Sequence, residues 1–552
     1  MRIPRMLLVP LAAVAIAAIA SCAAHAPRHA AATDHAATTD HAVRDAVVVG
    51  NGSVAMSMLF DPSGAVLLEL RHADAFDEQG EPRALGVLRM SFEPPLDTAR
   101  FERRFDARAG VLEAVAGEGD RAVRVRAFVD SDAPAAHVAI DAAAPRHVAL
   151  ALATPPARGG EPPVAGDIVI PVEEAPEALA WYHRNESSAQ PSMLAARGFG
   201  DLATAFDDPL ILRTFGARVE GDGFSRLGPL ELRSDTPIRR GELRITASCV
   251  QADGLSGWIE RLAKMAAVVP CTDEAERRTR AWWAERWPRG FVDCAGDDAA
   301  ALARRRLEVL QSGDGRVPIG EGDPAPYESL ARFGDADRIA PFARFEARLL
   351  RGRMAAAARD GAEGACIEWP PSVLGIGSCE GDAAARAVRV VALLLDERDF
   401  AGEQGAWPTH GLPVARALLA NIAWRADAGE LEPSRVAGLH EVASRMCESA
   451  AEAGVGGAEL ARWTRLRERS AAAPPMPARG DPLLARLLAE DGNRIVLLPD
   501  WPRARDVRFR LHARGAVVEA EARGGRLVRV VVEPAARRAD LVAGPGWILP
   551  AE

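Results

Sequence analysis

The sequence predicts a multidomain α+β protein: a β-rich N-terminal part, a long helical part and a short β-rich end. Three observations carry this. From Val47 to about Val250 apolar residues recur at period two between turn clusters, from Thr272 the period lengthens to that of helices, and after Gly492 the two-residue period returns. At 552 residues the chain exceeds one ordinary domain. Its 48% apolar and 26% charged residues can build large cores. A net charge of −10 argues against a nucleic-acid partner, which needs a basic face.

Residues 1–21 have the layout of a secretory signal. Arg2 and Arg5 precede an apolar run from Met6 to Ala20, broken by Pro10 and shorter than the roughly 20 residues a membrane span requires. The run ends in Ile19-Ala20-Ser21-Cys22, which resembles a bacterial lipobox with Cys22 as the lipid-modified first residue. Cleavage after Ala24-His25-Ala26 is the alternative, and both imply export. The expected membrane contact is a lipid anchor, with the protein periplasmic or on the outer membrane. Residues 22–43 are a low-complexity, His-containing stretch read as a flexible tether. Export permits disulfides among Cys249, Cys271, Cys294, Cys366, Cys379 and Cys447. The shortest loops join Cys366 to Cys379 and Cys271 to Cys294, but spacing alone leaves the connectivity open.

Residues 44–250 read as a β-sandwich. "SMLFDPSGAVLLEL" is two apolar runs around the turn cluster Asp61-Pro62-Ser63-Gly64, and "AVRVRAFVD" (122–130) alternates strictly. Within this region Gly50-Asn51-Gly52-Ser53-Val54-Ala55 fits a dinucleotide fingerprint. That motif needs a helix straight after the glycines, and Pro62 and Gly64 fall inside the span such a helix would occupy. The glycines are therefore read as a hairpin turn.

A linker helix is expected over 251–275 and an all-helical domain over 276–491. Thr272 is the expected N-cap, with Asp273 and Glu274 in the first turn. "AALARRRLEVLQ", "AVRVVALLLDE", "VARALLANIAW", "RVAGLHEVASRMCESA" and "PLLARLLAED" follow at helical period with no fixed repeat. Residues 492–552, with "VRFRLHARG" and "RLVRVVVEP", read as a small antiparallel β-cap.

Five stretches in order carry a family resemblance. They are "VVVGNGSVAM" with "LRHADAFDEQGEPRALGVLRMSF", "WYHRNESS" (181–188), "DDPLILRTFGA" (207–217), "WWAERW" (282–287), and the run from "RIVLLPDW" to "VVVEP". Together they resemble domain-of-unknown-function family 5703, related to the family-95 α-L-fucosidases of the six-hairpin glycosidase superfamily. The resemblance implies an (α/α) six-hairpin barrel between the sandwich and the cap. It also implies a cofactor-independent glycoside hydrolase whose partner is a carbohydrate, with α-L-fucosides or related glycosides as substrates. The barrel reads as shortened near 313–323, 430–440 and 474–488, and no counterpart of the family's water-activating asparagines is found. A catalytically inactive glycan-binding or scaffold lipoprotein is thus the alternative.

Glycoside hydrolysis needs two carboxyl groups, one protonated to assist the leaving group. "GAEGACIEWPPS" (361–372) resembles the family's His-Glu-Gly stretch, with Ala362 where histidine is usual. In it Glu368, between Ile367 and Trp369, is the candidate general acid, since an apolar neighbourhood disfavours its charged form. Glu363 and Asp481 are candidates for the second carboxylate, although Asp481 also suits a helix N-cap. Glu321 and Asp323 are weighed as loop carboxylates near the barrel mouth. Trp369 and Trp407, beside Gly/Pro-rich segments, are candidates for stacking on sugar. His183 and Asn185 are candidates for reaching the barrel from the sandwich. No nucleophile elbow, zinc-protease helix, Walker loop or calcium loop occurs, so no metal is expected.

Overall fold

The computed structural model describes residues 48–550 except 62, 107, 154–167, 171–177, 295–324, 336, 338, 368–382, 402–404, 451–454, 475, 477–480 and 492–493. The expected signal and tether, Cys22, Glu321, Asp323, Glu368, Trp369, Cys379 and the helical stretch at 300–311 lie outside the described residues. The fold is α+β, with many strands and a separate set of helices.

Two antiparallel sheets share one long strand, Ala135–Ala153. Its first half pairs with Val123–Val129 and Ile238–Gln251, and its second half with Pro82–Glu93 and Glu231–Ser234. The switch falls at Pro145-Arg146, where a residue lacking an N–H interrupts the ladder. Arg146 is buried at this corner, donating to the carbonyls of Pro94 at 2.5 Å and Arg121 at 3.2 Å. Val54, Met56, Leu68, Leu88 and Met90 of one sheet meet Val125, Val138, Ile140, Val219 and Ile245 of the other in a single core. Each strand supplies alternate residues to it, as the pleat requires.

The Gly-Asn-Gly stretch is the turn joining Val48–Gly50 to Val54–Phe60. Asn51 Oδ1 accepts from the backbone N–H groups of Ser53 and Val54 at 2.9 and 3.0 Å. Its amide donates to the carbonyls of Asp130 and Ala133, both at 2.8 Å. Gly52, at φ 99°, supplies the left-handed backbone.

The helical part packs around Ala383–Ala401, whose run Val390 to Leu395 is buried throughout. Ala325–Arg332, Leu412–Asp427 and Leu439–Glu448 pack on it, and Ala340–Arg359 and Gly457–Arg469 share its core. A run apolar on every side, as Val390 to Leu395 is, must be enclosed by other helices, which explains its central place. Two ionic groups are buried here. Glu346 pairs with Arg353, and Arg445 donates to Asp396 at 2.9 Å and to Asp399 at 2.8 Å. No helix among the described residues is long and apolar enough to cross a membrane.

Three details differ from the sequence reading. Cys271, not Thr272, is the N-cap of helix Thr272–Arg286, because the Thr272 hydroxyl is buried against His137 Nδ1 at 3.4 Å. "PLLARLLAED" is helical only over Pro482–Leu487. Leu488–Asp491 turns into a strand paired with Arg494–Leu497, so hairpin pairing overrides helical periodicity. Phe291–Cys294 joins the C-terminal sheet by pairing with Val507–Arg510, a contribution too short to show a period in sequence. Cys271 carries an exposed free thiol, so the Cys271–Cys294 pairing is not formed, whereas Cys366 is disulfide-bonded.

Candidate functional site

The approach to Glu368 is built on helix Leu412–Asp427. Ala365 N–H donates to the Ala417 carbonyl at 2.9 Å, and Asn421 Nδ2 donates to the Glu363 carbonyl at 2.9 Å. Between them Gly364 has φ 76°, and a Cβ there would lie 2.3 Å from Ala417 O and 2.7 Å from Asn421 N. Only glycine lets the segment lie this close. The Glu363 carboxylate is held by Arg462 of helix Gly457–Arg469 at 2.7 Å and stays half exposed. Arg386, in the first turn of helix Ala383–Ala401, donates to the Ile367 carbonyl at 3.5 Å.

One helical turn further, Arg389 holds the carboxylate of Glu328 at 3.1 Å. Glu328 is 3% exposed, on helix Ala325–Arg332. Its neighbour Ser329 accepts a hydrogen bond from the Asp481 backbone N–H at 3.0 Å. Asp481 Oδ1 accepts from Leu483 N–H at 2.8 Å and caps helix Pro482–Leu487. Arg386 and Arg389, one turn apart on the central helix, thus reach Ile367 and Glu328 respectively, and Ser329 beside Glu328 reaches Asp481. Asp481 is tied to helix Ala325–Arg332, and the segment before Glu368 to the first turn of the central helix. Glu328 was missed in the sequence, where the only signal is a carboxylate inside the apolar run of "PYESLARF".

Trp407 and Glu397 lie toward the other end of that helix. Glu397 is about 16 Å along the axis from Arg386 at 1.5 Å per residue. Trp407 is 7% exposed within the helical core, with the Arg398 guanidinium 5.7 Å from its ring centre. Glu397 is fully buried and accepts from Ala406 N–H at 2.7 Å. Burial pushes its carboxyl above the ordinary glutamate range, opposed by the backbone donors of Ala406 and Trp407 and by Arg344.

His183 and Asn185 lie within the sandwich, both buried. His183 Nε2 is 3.0 Å from Asn185 Oδ1 and 3.4 Å from Glu78 Oε1. Asn185 Nδ2 donates to the carbonyls of Phe76 and Leu210, each at 3.0 Å. The pair closes the base of an excursion that runs out to the helical part. There Phe199 and Phe206 lie under Arg359 and Arg351 at 5.2 and 5.3 Å. Among the described residues no group of three or more His, Cys, Asp or Glu could hold a metal ion.

Comparison with known proteins relates these observations to a family. Residues 38–154 and 161–292 match the N-terminal family model of a domain of unknown function, DUF5703. Among solved structures, a candidate kojibiose phosphorylase from the human microbiome aligns with TM-score 0.51 and 10% identity. The alignment covers 77% of this chain and 67% of that one. The chain shares the fold of this phosphorylase. At this identity the likeness establishes fold alone. A bacterial glucoamylase complexed with acarbose aligns over 77% of this chain and 65% of its own at TM-score 0.37 and 11% identity. A family GH92 inverting mannosidase from Bacteroides thetaiotaomicron aligns over 77% and 61% at 0.40 and 10%. Neither of these two scores carries an argument. A search of the curated proteins finds no match.

Proposed function

We propose that the chain is an exported, lipid-anchored glycoside hydrolase acting on α-L-fucosides or related glycosides. Glu368 is its general acid, and Glu363 or Asp481 supplies the second carboxylate. The observation that carries this reading is the anchoring of the segment just before Glu368. It is fixed to one helix through Gly364 and Asn421 and to another through Arg386, as a catalytic acid needs rigid support. A glycosidase-like fold and the DUF5703 match support the same class. In this reading the acid protonates the glycosidic oxygen while the second carboxylate assists water or attacks the sugar carbon. Of the two partners Glu363 suits that role better, because its half-exposed carboxylate can exchange Arg462 for substrate or water. Trp369 is the proposed sugar-stacking residue; Trp407, enclosed in the helical core, and His183 and Asn185, buried in the sandwich, are structural instead. The barrel is proposed to be shortened and Cys22 to carry the lipid.

A second reading is a non-catalytic glycan-binding protein. It is favoured by the engagement of Asp481 as a helix cap and of Glu328 in an ion pair, neither of which leaves a carboxylate free for water. Assay of a panel of aryl α- and β-glycosides, with and without inorganic phosphate, separates the two. Turnover supports the hydrolase, or a phosphorylase when it requires phosphate. Glycan binding without turnover supports the second reading.

A further inference from the structure

The excursion between strands Ala178–Arg184 and Arg213–Glu220 leaves the sandwich and returns to it at one place. Asn185 N–H donates to the Arg213 carbonyl at 2.9 Å and Leu212 N–H to the Asn185 carbonyl at 3.0 Å, which ties the two ends together. Gln251, on the neighbouring strand, donates to the carbonyls of Asp208 at 2.7 Å and Ile211 at 2.9 Å. A surface loop fixed in this way normally carries a polar tip. Here the tip is apolar. Leu194 and Phe199 are 2% and 6% exposed, and with Ala356 of helix Ala340–Arg359 they form a cluster distinct from the sandwich and helical cores.

The excursion lies along the last turns of that helix as a strap. Arg351 stands over the Phe206 ring at 5.3 Å and Arg359 over the Phe199 ring at 5.2 Å, and Arg359 also pairs with Asp201. The two arginines are about 12 Å apart along the axis, so the helix is gripped over two turns. The exposed ion pair adds little, and the buried Phe199 ring carries most of the grip.

The helix ends just beyond the grip. Gly361 N–H returns to the Ala358 carbonyl at 3.1 Å and Ala362 N–H to the Ala357 carbonyl at 2.9 Å, with Gly361 at φ 75°, the paired bonds of a Schellman end. Such an end sets the direction in which the chain departs. The departing segment, 361–367, is the approach to Glu368 that Asn421 and Ala417 receive further on.

We propose that the strap 186–212 is a positioning element of the candidate site. By clamping the last two turns of helix Ala340–Arg359 to the sandwich, it fixes the point from which segment 361–367 departs. Phe199 and Phe206 are its positioning residues. The clamp stands on this packing, whereas its effect on turnover rests on the hydrolase reading.

The test is hydrogen exchange of the full chain, comparing wild type with Phe199→Ala, Phe199→Leu and Phe206→Ala in peptides over 190–206, 360–367 and 439–448. Phe199→Ala should lower the protection of 360–367 about tenfold together with that of the strap, leaving 439–448 in the helical core as in wild type. Phe199→Leu refills the apolar contact and should recover most of the protection. Phe206→Ala truncates a half-buried ring and should give a smaller loss at 360–367 in a chain that stays folded. Loss confined to the strap would overturn the clamp by showing that strap and segment are uncoupled. Equal loss in all three peptides would overturn it by showing that the contact serves only global stability. On an aryl glycoside that wild type turns over, kcat of Phe199→Ala should fall about tenfold with KM unchanged, because the strap supports the acid and not the substrate. An unchanged kcat would overturn the positioning role. Absence of wild-type turnover counts against the hydrolase reading, and the exchange result then decides the clamp by itself.

Discussion

Asn421 reaches from the middle of helix Leu412–Asp427 to the carbonyl oxygen of Glu363, 2.9 Å away, and so pins the segment that leads to the proposed acid. Asn421 is itself buried. Replacing it with leucine removes the donor and leaves a backbone carbonyl to find water. The expected cost is about 1–3 kcal/mol in thermal or denaturant unfolding. On the hydrolase reading, kcat falls by more than that loss of stability alone would cause at a temperature where the variant stays folded.

Gly364 sits one residue further on, with left-handed backbone against Ala417 O and Asn421 N. Alanine there meets backbone atoms, which cannot move aside as a side chain could. Gly364→Ala should destabilise by about 1–3 kcal/mol. Gly361, with φ 75° and open space around its Cβ position, is the control. Gly361→Ala carries only the conformational part of the penalty, so a calorimetric comparison of the two variants separates strain from collision.

Arg445 is fully buried and joins helix Leu439–Glu448 to Asp396 and Asp399 of the central helix. Removing the cation leaves Asp396 and Asp399 close together with only Arg398 beside Asp399. Arg445→Met should cost about 3–5 kcal/mol. Because the loss arises from uncompensated charge, lowering the pH should recover part of it as the aspartates take up protons. A pH-independent loss would show that packing, not charge, dominates.

His137 is buried between the sandwich and helix Thr272–Arg286, stacked on Phe128 at 5.0 Å. Burial depresses its pKa to about 4, against the opposing pull of Asp130. The unfolded chain therefore binds the proton more readily than the folded one. Stability from this site is fully present above pH ~6.5 and is lost as pH falls through about 4, on the order of 3 kcal/mol in all. His137→Gln should flatten that part of the acid-unfolding profile, measured by chemical denaturation between pH 7 and pH 4.

The strands of the sandwich and of the C-terminal sheet were legible because they bury alternate residues, as in Val66–Phe76 and Val507–Ala513, so period two survives in the sequence. The central helix was legible through its unbroken apolar run. Strand Leu488–Asp491 was not, because Leu487-Leu488-Ala489-Glu490 suits helix locally and only its pairing with Arg494–Leu497 decides otherwise. Within the site, Glu363 could be read from its motif. Glu328 could not, since its place beside Arg389 depends on two helices whose packing no local pattern encodes. Glu397 was equally hidden, as one charged residue in "LLLDERDF" looks like its neighbours until the fold shows which of them is enclosed.

The central claim is that Glu368 is a general acid, and the most direct test compares wild type with Glu368→Gln on aryl glycosides of good and poor leaving groups. The account predicts a kcat loss of roughly 10²–10⁴-fold for the poor leaving group and a much smaller loss for the good one, which departs without a proton. Equal losses on both substrates, or turnover unchanged by the substitution, would contradict it.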